Sequence, residues 1–302
     1  MRFVLDTKPW QGKLLHNEPM AAHTSWRVGG VAKQFYQPEN LVDVCRFLQS
    51  LSAHEPVLWI GLGSNLLVRD GGFPGTVILS TPALKAMRLT EDGNIYAQAG
   101  VPCAKLARFA AQHDLTGGEF FAGIPGTVGG ALAMNAGAFG GETWAVVESV
   151  QTVDRRGQLT NRQPTDFTIG YRSVGGPQQE WFAAGVFTLQ AGDAEQSRAA
   201  IRALLTKRGQ SQPTQFANAG SVFRNPEGDH AARLIEQCGL KGKTIGGAQV
   251  SEKHANFIIN TGSATAADIE NLIAWVAEQV QKKFSMRLQP EVRIVGEHAV
   301  GS

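Results

Sequence analysis

Gly117-Gly-Glu-Phe-Phe-Ala-Gly-Ile-Pro-Gly-Thr-Val-Gly-Gly-Ala-Leu-Ala-Met-Asn-Ala-Gly-Ala-Phe-Gly-Gly-Glu142 carries nine glycines and almost no charge. Glycine loses more conformational freedom on folding than any other residue, so such density marks backbone that must go where a side chain cannot. Two needs are common: left-handed turns, and peptide N–H groups brought against a ligand, above all a diphosphate. The interleaved Ile124, Val128, Leu132 and Met134 mark the stretch as buried, which rules out a flexible linker. Taken alone it reads equally as a set of tight buried turns.

A second stretch of the same character, Gly61-Leu-Gly-Ser-Asn65, follows the apolar run Val57-Leu-Trp-Ile60 and leads into Leu66-Leu-Val68. Leu41, Val44, Cys45, Leu48 and Leu51 recur at helical spacing and predict an amphipathic helix over 39–51. Ala32–Tyr36 before it reads as a strand, giving strand, helix, strand and Gly-rich turn in succession. Such a turn presents N–H groups and the Ser64 and Asn65 side chains; it too is either a phosphate cradle or a plain turn.

The remaining chain divides by composition. The first twenty-odd residues show no periodicity and read as an irregular arm. Residues 76–100 alternate short strands and turns, and Pro102 fits the first turn of a helix running to His113. Strands are expected at Val147–Asp154 and Trp181–Leu189. Asp193 is suited to cap a helix to Arg208 that carries Ile201, Leu204 and Leu205. The segment 209–218 (Gly-Gln-Ser-Gln-Pro-Thr-Gln-Phe-Ala-Asn) reads as a hinge. Beyond it come a helix over Ala231–Cys238, strands at Thr244–Val250 and Asn256–Asn260, a long helix over Thr265–Phe284 and a last strand at Glu291–Val295. Helices and strands are mixed without an internal repeat, so the fold class is α+β with several small sheets.

At 302 residues the chain is long enough for two or three lobes. A net charge of +2 gives no reason to expect nucleic acid or an acidic membrane surface. No apolar run is long enough to cross a bilayer, and Met1–Thr7 lacks a signal-peptide core. Cys45, Cys103 and Cys238 are odd in number and widely spaced, which argues for core thiols in a reducing compartment, with the cytoplasm as default. His-x-x-x-His and Cys-x-x-Cys are absent, so no metal site is expected. A Gly-x-Ser-x-Gly elbow, a Walker lysine motif and a Gly-x-Gly-x-x-Gly fingerprint are missing too.

Three polar stretches stand among bulky or Gly-rich neighbours: Tyr171-Arg172, Gly220-Ser221-Val-Phe-Arg-Asn225 and Pro290-Glu291-Val-Arg293. An arginine fork suits a carboxylate, a serine hydroxyl can relay a proton, and a half-buried glutamate can share one. Singly, each also reads as a surface ion pair, a turn residue or a solvated strand end.

These stretches, with Gly61–Gly72, Gly123–Gly130 and Asn135–Glu142, occur in the order found in UDP-N-acetylenolpyruvoylglucosamine reductases, and the chain resembles the shorter form of that family from Thr24 to Gly296. The resemblance implies an FAD-binding pair of lobes of the vanillyl-alcohol-oxidase type followed by an α+β substrate-binding lobe. The expected division is 1–80 and 81–208 for the two FAD lobes and 209–288 for substrate, with the terminal strand in 289–302 returning to the second lobe. It implies bound FAD, NADPH as co-substrate, and reduction of an enolpyruvyl sugar nucleotide in the synthesis of peptidoglycan, hence of the cell wall on which cell shape and division depend. It further implies a cytoplasmic monomer with no nucleic-acid or membrane partner.

By the same likeness Gly61, Gly63, Ser64, Asn65, Gly123, Ile124, Pro125, Gly126, Thr127, Gly129, Gly130, Asn135 and Gly137 hold the cofactor. Ser221 resembles the proton donor to C2 of the substrate. Arg172 and Glu291 resemble the pair that engages its carboxylate and stabilises an enolate-like intermediate. Tyr171, Asn225, Arg208 and His254 are the substrate-binding candidates. One departure concerns the hinge, where the family often has a lysine before the dipeptide ending in proline. Here Ser211 precedes Gln212-Pro213, and Lys207 or Arg208 is left to meet the substrate phosphate. A flavin oxidase of the same fold, or a nucleotide-binding module without turnover, would share the glycine loops but would not need Arg172, Ser221 and Glu291 together.

Overall fold

Helix ends follow the capping chemistry written in the sequence. Asn40 accepts the Asp43 N–H to open Leu41–Ser50, Asp193 accepts from Gln196 to open Ala194–Ser211, and Thr265 with Asp268 forms a capping box at the head of Ala266–Phe284. Pro102 is not inside its helix: it is the N-cap of Cys103–Gln112, where its fixed φ still suits the entry. The helix Ala231–Gln237 ends before Gly239, whose φ is 68°. The computed structural model describes residues 9–81 and 83–299; Met1–Thr7 and the last residues of the 289–302 segment lie outside them.

The first lobe is built on a four-stranded sheet in which Val31–Gln37 and Val57–Ile60 both run parallel to Phe73–Leu79. Its fourth strand corrects the irregular arm: Lys13–Pro19 pairs antiparallel with Val31–Gln37, Lys13 opposite Gln37 and Pro19 opposite Val31. Its sequence, KLLHNEP, lacks clean alternation because it is an edge strand whose side chains are all exposed or half-exposed, so periodicity could not reveal it. The second lobe is a five-stranded antiparallel sheet ordered Leu159–Arg162, Val147–Asp154, Glu180–Phe187, Ile95–Gln98 and Met87–Leu89. The two lobes are not independent. Val44, Phe47 and Leu48 of the first helix share one buried cluster with Ile78 and with Val153 and Ala183 of the second sheet.

The third lobe packs Ala266–Phe284 and Ala231–Gln237 on a small antiparallel sheet. Ile269, Leu272, Ile273, Val276 and Val280 are all at most 3 % exposed, as the helical spacing predicts. The expected single strand Thr244–Val250 is a hairpin, Thr244–Ile245 with Ala248–Val250, because Gly246 takes a left-handed φ of 51° and turns the chain. This core also takes in Trp26, Val28 and Leu67 from the first lobe. Trp26 is fully buried, its Nε1–H donating to the Ile258 carbonyl at 2.7 Å, and Asn260 donates back to the Trp26 carbonyl at 2.9 Å.

The terminal strand corrects a second expectation. Arg293–Val295 does not return to the second lobe; it lies parallel to Leu66–Val68, the strand that leaves the Gly61–Asn65 turn. The period-two alternation of that pair serves two cores at once: Leu66, Val68 and Val295 face the first-lobe cluster, whereas Leu67 and Ile294 face the third.

Just beyond it, Arg69 holds Glu270 with a two-pronged contact (2.8 and 2.9 Å), and the Asp70 carboxylate accepts the Ala266 and Ala267 N–H groups at 3.0 and 2.8 Å. A carboxylate on two orphan donors at a helix N-terminus is favourable both as a cap and against the dipole. Asp70→Ala is therefore expected to destabilise the protein by about 1–2 kcal/mol, read from denaturant midpoints. An unchanged midpoint would mean that Thr265 caps the helix unaided.

Candidate functional site

The two glycine loops touch. A Cβ on Gly61 would sit 2.3 Å from Thr127 Oγ1, and one on Gly126 would sit 3.2 Å from Ser64 Oγ. Glycine at 61 is therefore required by close approach rather than by flexibility, and Gly63 is additionally held at φ 62° against the His23 carbonyl. Within the described residues the N–H groups of 61–65 donate to no protein acceptor. A row of free backbone donors at a strand end, closed over by a second glycine loop, is a cradle for an anionic ligand such as a diphosphate.

These loops form one end of a cavity of about 580 Å³ whose other walls are the Tyr171-Arg172 turn, the segment after the hinge and Glu291. Such a volume lies in the usual ligand-pocket range of ~300–1,000 Å³. Gly61, Gly63, Ser64, Asn65, Gly123, Ile124, Pro125, Gly126, Thr127, Gly130, Gly137, Tyr171, Arg172, Ser221, Asn225 and Glu291 all line it. Residues separated by up to 230 positions in the chain thus meet at one place.

Each polar residue is held by a nameable device. Tyr171 and Arg172 are the turn between the strands Thr168–Gly170 and Ser173–Gly175, with Arg172 at φ 52°. The Arg172 fork donates to the Gly137 carbonyl at 2.7 Å and the Asn135 carbonyl at 3.3 Å, and its Nε stands 3.5 Å from Glu291 Oε1. That last separation is an ion-pair contact rather than a hydrogen bond, so the Nε proton stays without an acceptor. The 222–223 backbone is clamped by Asn256, which accepts from Phe223 N–H at 2.9 Å and donates to its carbonyl at 2.8 Å. Glu291 N–H donates to the Val222 carbonyl at 2.7 Å, which sets the Glu291 backbone beside Ser221. Asn65 fixes the same segment from the far side, its amide donating to the Glu291 carbonyl at 3.0 Å and its carbonyl accepting from Arg293 N–H at 3.1 Å.

Burial pushes the Glu291 carboxyl above its ordinary pKa, while Arg172 and then Arg224 pull it back. Among the described residues Glu291 is the only carboxylate on the cavity wall, against Arg172, Arg224 and Arg293. A cavity so unbalanced in charge is suited to polyanions. Arg224, like Arg172, has a buried Nε with no partner.

Four of the residues expected at the site stand off this cavity wall. Gly129 is not on the cavity: its N–H donates to the Ala99 carbonyl at 2.9 Å, and a Cβ there would strike Ala99, so it packs a short helix on a strand end. Asn135, 2 % exposed at φ 47°, ends that helix; its amide donates to Glu142 and to the Gly170 carbonyl, which supports the Arg172 turn from beneath. Arg208 lines a smaller neighbouring cavity instead. His254 lines neither; its Nδ1 accepts from Asn256 N–H at 3.2 Å and its ring meets Phe257 edge-on at 4.7 Å.

Arg224, Arg293, Asn256 and Trp59 line the cavity but were given no role from sequence, although the first two lie in the polar stretches quoted above. Arg224 had a signal, a cation directly after the apolar Val222-Phe223 and three residues beyond Ser221. Asn256 had none, because its role depends on the Phe223 backbone 33 residues away. Trp59 stacks on Trp181 (centroids 6.0 Å apart) and keeps a buried Nε1–H without a partner.

Comparison with known proteins bears on this arrangement. A family model described as an FAD binding domain matches residues 32–162, and one described as the C-terminal domain of UDP-N-acetylenolpyruvoylglucosamine reductase matches 212–295. A relative of that name from Methylococcus capsulatus is 57% identical over 289 residues, covering 96% of this chain and 95% of the relative. Another from Alkalilimnicola ehrlichii is 58% identical over 286 residues, with 95% and 96% covered. The crystal structure of a UDP-N-acetylenolpyruvylglucosamine reductase from Thermus caldophilus superposes with a TM-score of 0.78 at 31% identity, over 94% of this chain and 98% of that one.

His254 yields a pH prediction. Burial, with a smaller push from Lys241, lowers its pKa. The unfolded chain then takes up the proton first, so stability present above pH about 6.5 is lost as pH falls below it. His254→Gln should show a smaller drop in Tm between pH 8 and pH 5 than the parent, with the half-saturating concentrations for ligands in the main cavity unchanged. A parallel fall of the two Tm curves would exclude His254 as the titrating group.

Proposed function

Because this chain belongs to the UDP-N-acetylenolpyruvoylglucosamine reductase family, we propose that Ser221, Arg172 and Glu291 carry out the reaction of that family here. The chain is an FAD-dependent oxidoreductase that uses NADPH to reduce UDP-N-acetylglucosamine enolpyruvate to UDP-N-acetylmuramate in peptidoglycan precursor synthesis. The residues present fit the cofactor: free N–H groups at Gly61–Asn65, glycines where a Cβ would collide, and unpaired guanidinium and indole donors on the wall. Bound FAD supplies the hydride relay between NADPH and the enolpyruvyl carbon. Everything else is the work of this chain.

In that work Arg172, anchored by two backbone carbonyls, holds the substrate carboxylate, on which negative charge grows when hydride adds at C3. Its Nε proton, without an acceptor in the protein, is available for that purpose. Ser221 delivers the proton to C2. A serine is a weak acid in water, so its part depends on the fixed backbone at 220–223 and on a relay. Glu291, whose pKa burial raises toward the range in which a carboxyl can share a proton, is placed to supply it. Tyr171 and Asn225 on the cavity wall serve the sugar nucleotide, and Arg208 meets its phosphate from the neighbouring cavity.

The division of labour follows: 1–80 and 81–208 hold FAD, and 209–288 holds the substrate. Arg293–Val295 joins the first of these to the third. No helix among the described residues is long and apolar enough to cross a membrane, in keeping with a cytoplasmic enzyme. The observation that carries the reading is the single cavity in which both glycine loops meet Ser221, Arg172 and Glu291.

Anaerobic stopped-flow absorbance separates the two half-reactions. Ser221→Ala should leave flavin reduction by NADPH nearly intact and slow reoxidation by the enolpyruvyl sugar nucleotide by about 10²–10⁴-fold, the usual worth of a general acid. Equal loss in both halves would mean a structural role for Ser221. Glu291→Gln is expected to slow reoxidation similarly; retained reoxidation would remove Glu291 from the proton path.

A further inference from the structure

The Tyr171-Arg172 turn has little structure of its own. It joins Thr168–Gly170 to Ser173–Gly175, strands of three residues each, exposed throughout except for the half-buried Val174. A two-stranded hairpin is marginal in water by itself, so the surface it rests on decides where the Arg172 guanidinium stands. Its apolar footing is Phe167, whose ring meets Trp144 with centroids 4.9 Å apart, and Val174, packed on the second-lobe core. Its polar footing is the side chain of Asn135.

Asn135 ends the short helix Val128–Met134, whose other end, capped by Thr127, belongs to the second glycine loop. Its amide meets three partners. Nδ2 donates to Glu142 Oε2 and to the Gly170 carbonyl, both at 3.1 Å, and Oδ1 accepts from Trp144 N–H at 3.0 Å. Two acceptors facing one end and a donor facing the other allow a single orientation of the amide. The backbone serves as well, because the Asn135 and Gly137 carbonyls take the two arms of the Arg172 fork. Gly137 must be glycine there: a Cβ would stand 3.1 Å from Arg172 Nη1 and 2.4 Å from the Gly141 carbonyl oxygen. Asn135 therefore holds the hairpin twice, by its amide at Gly170 and by its carbonyl at Arg172 itself. It also holds the N–H of Trp144, the residue on which Phe167 rests.

We propose that Asn135, oriented by Glu142, is a positioning residue for reduction of the enolpyruvyl group, acting from behind the cavity wall by fixing the Arg172 fork. The inference rests on the reading above that Arg172 holds the substrate carboxylate. Reduction of the flavin by NADPH involves no such carboxylate, so Asn135 serves one half-reaction and is dispensable to the other.

The test compares the FAD-loaded full chain with Asn135→Gly, Asn135→Asp, Arg172→Gln and the double variant Asn135→Gly/Arg172→Gln, following both half-reactions by anaerobic stopped-flow absorbance. The φ of 47° at Asn135 is one that glycine takes freely, so Asn135→Gly removes the side chain and keeps the backbone path. Misplacing an orienting group by about 1 Å costs on the order of 10²-fold, so reoxidation by the enolpyruvyl sugar nucleotide should slow by about 10- to 100-fold. Flavin reduction by NADPH should stay within about two-fold of the parent, the scatter expected of uncoupled sites. In the Arg172→Gln background the same substitution should add no more than about two-fold, since a residue acting through Arg172 has nothing left to position.

Asn135→Asp turns a carboxylate toward the Glu142 carboxylate and the Gly170 carbonyl. The charged groups around it are Glu142 and Arg172; the helix Val128–Met134 and residues 143–146 contribute none. Once protonated it can donate as the amide did, so its reoxidation rate relative to the parent should climb as pH falls, while the Asn135→Gly ratio stays flat. Reoxidation by Asn135→Gly within about two-fold of the parent, equal loss in both half-reactions, or fully multiplicative loss in the double variant would each overturn the proposal. Should Asn135→Gly not fold, a pH-independent ratio for Asn135→Asp would overturn it as well. Parent-like reoxidation by Arg172→Gln would defeat the reading of Arg172 itself, whereas slow Arg172→Gln beside fast Asn135→Gly would defeat this inference alone.

Discussion

The short parallel pairing of Arg293–Val295 with Leu66–Val68 is the constraint on which the site depends. Three residues per strand is little sheet, yet its alternating side chains are buried in two different cores, so it cannot slip by one residue without exposing both sets. Asn65, immediately before one strand, reaches the carbonyl of Glu291, two residues before the other, and accepts from Arg293 at its start. The end of the chain is thereby delivered to the mouth of the first glycine turn. Arg69 and Asp70, immediately after, secure the long helix of the third lobe by an ion pair and a cap. The groups that do chemistry stand on elements that packing and hydrogen bonds have already fixed.

Electrostatics then gives the cavity its character. Taking a carboxylate and a guanidinium out of water is costly unless each is well paired, and Glu291 with Arg172 is only loosely paired at 3.5 Å. Arg224 keeps a buried nitrogen without an acceptor, as Arg172 does. Unmet hydrogen-bonding capacity of this sort weakens a fold and strengthens affinity for an anion that can satisfy it. By contrast, Arg69 with Glu270 and Arg162 with Glu180, away from the cavity, are closed pairs at 2.8 and 2.6 Å. Of these three pairs the loosest is the one on the cavity wall.

Much of the architecture could be read locally. Val147–Asp154, Val57–Ile60 and Leu66–Val68 have the bounds that their apolar runs predict, and the helix from 266 to 284 buries the face its spacing marks. Elements whose identity depends on a partner were missed. Lys13–Pro19 is a strand because Val31–Gln37 offers it an edge, and Thr244–Val250 folds back on itself because Gly246 adopts a conformation available cheaply only to glycine. The same division runs through the site. Gly61, Ser64, Gly126 and Thr127 carry the glycine-loop signal in their own neighbourhood, whereas Asn135 and Gly129 belong to that stretch and serve packing instead.

The sequence by itself determined the residue types, the helix caps, the two glycine loops and the family resemblance, because these are properties of short windows or of motifs in order. Only tertiary structure decided that Gly61 must lack a Cβ on account of Thr127, and that the last strand joins the first lobe rather than the second. It also decided that Arg27 and Arg208 face a cavity of their own. The reason is that burial, close approach and charge pairing belong to pairs of residues distant along the chain, and a linear pattern records neither their separation nor the groups left without a partner.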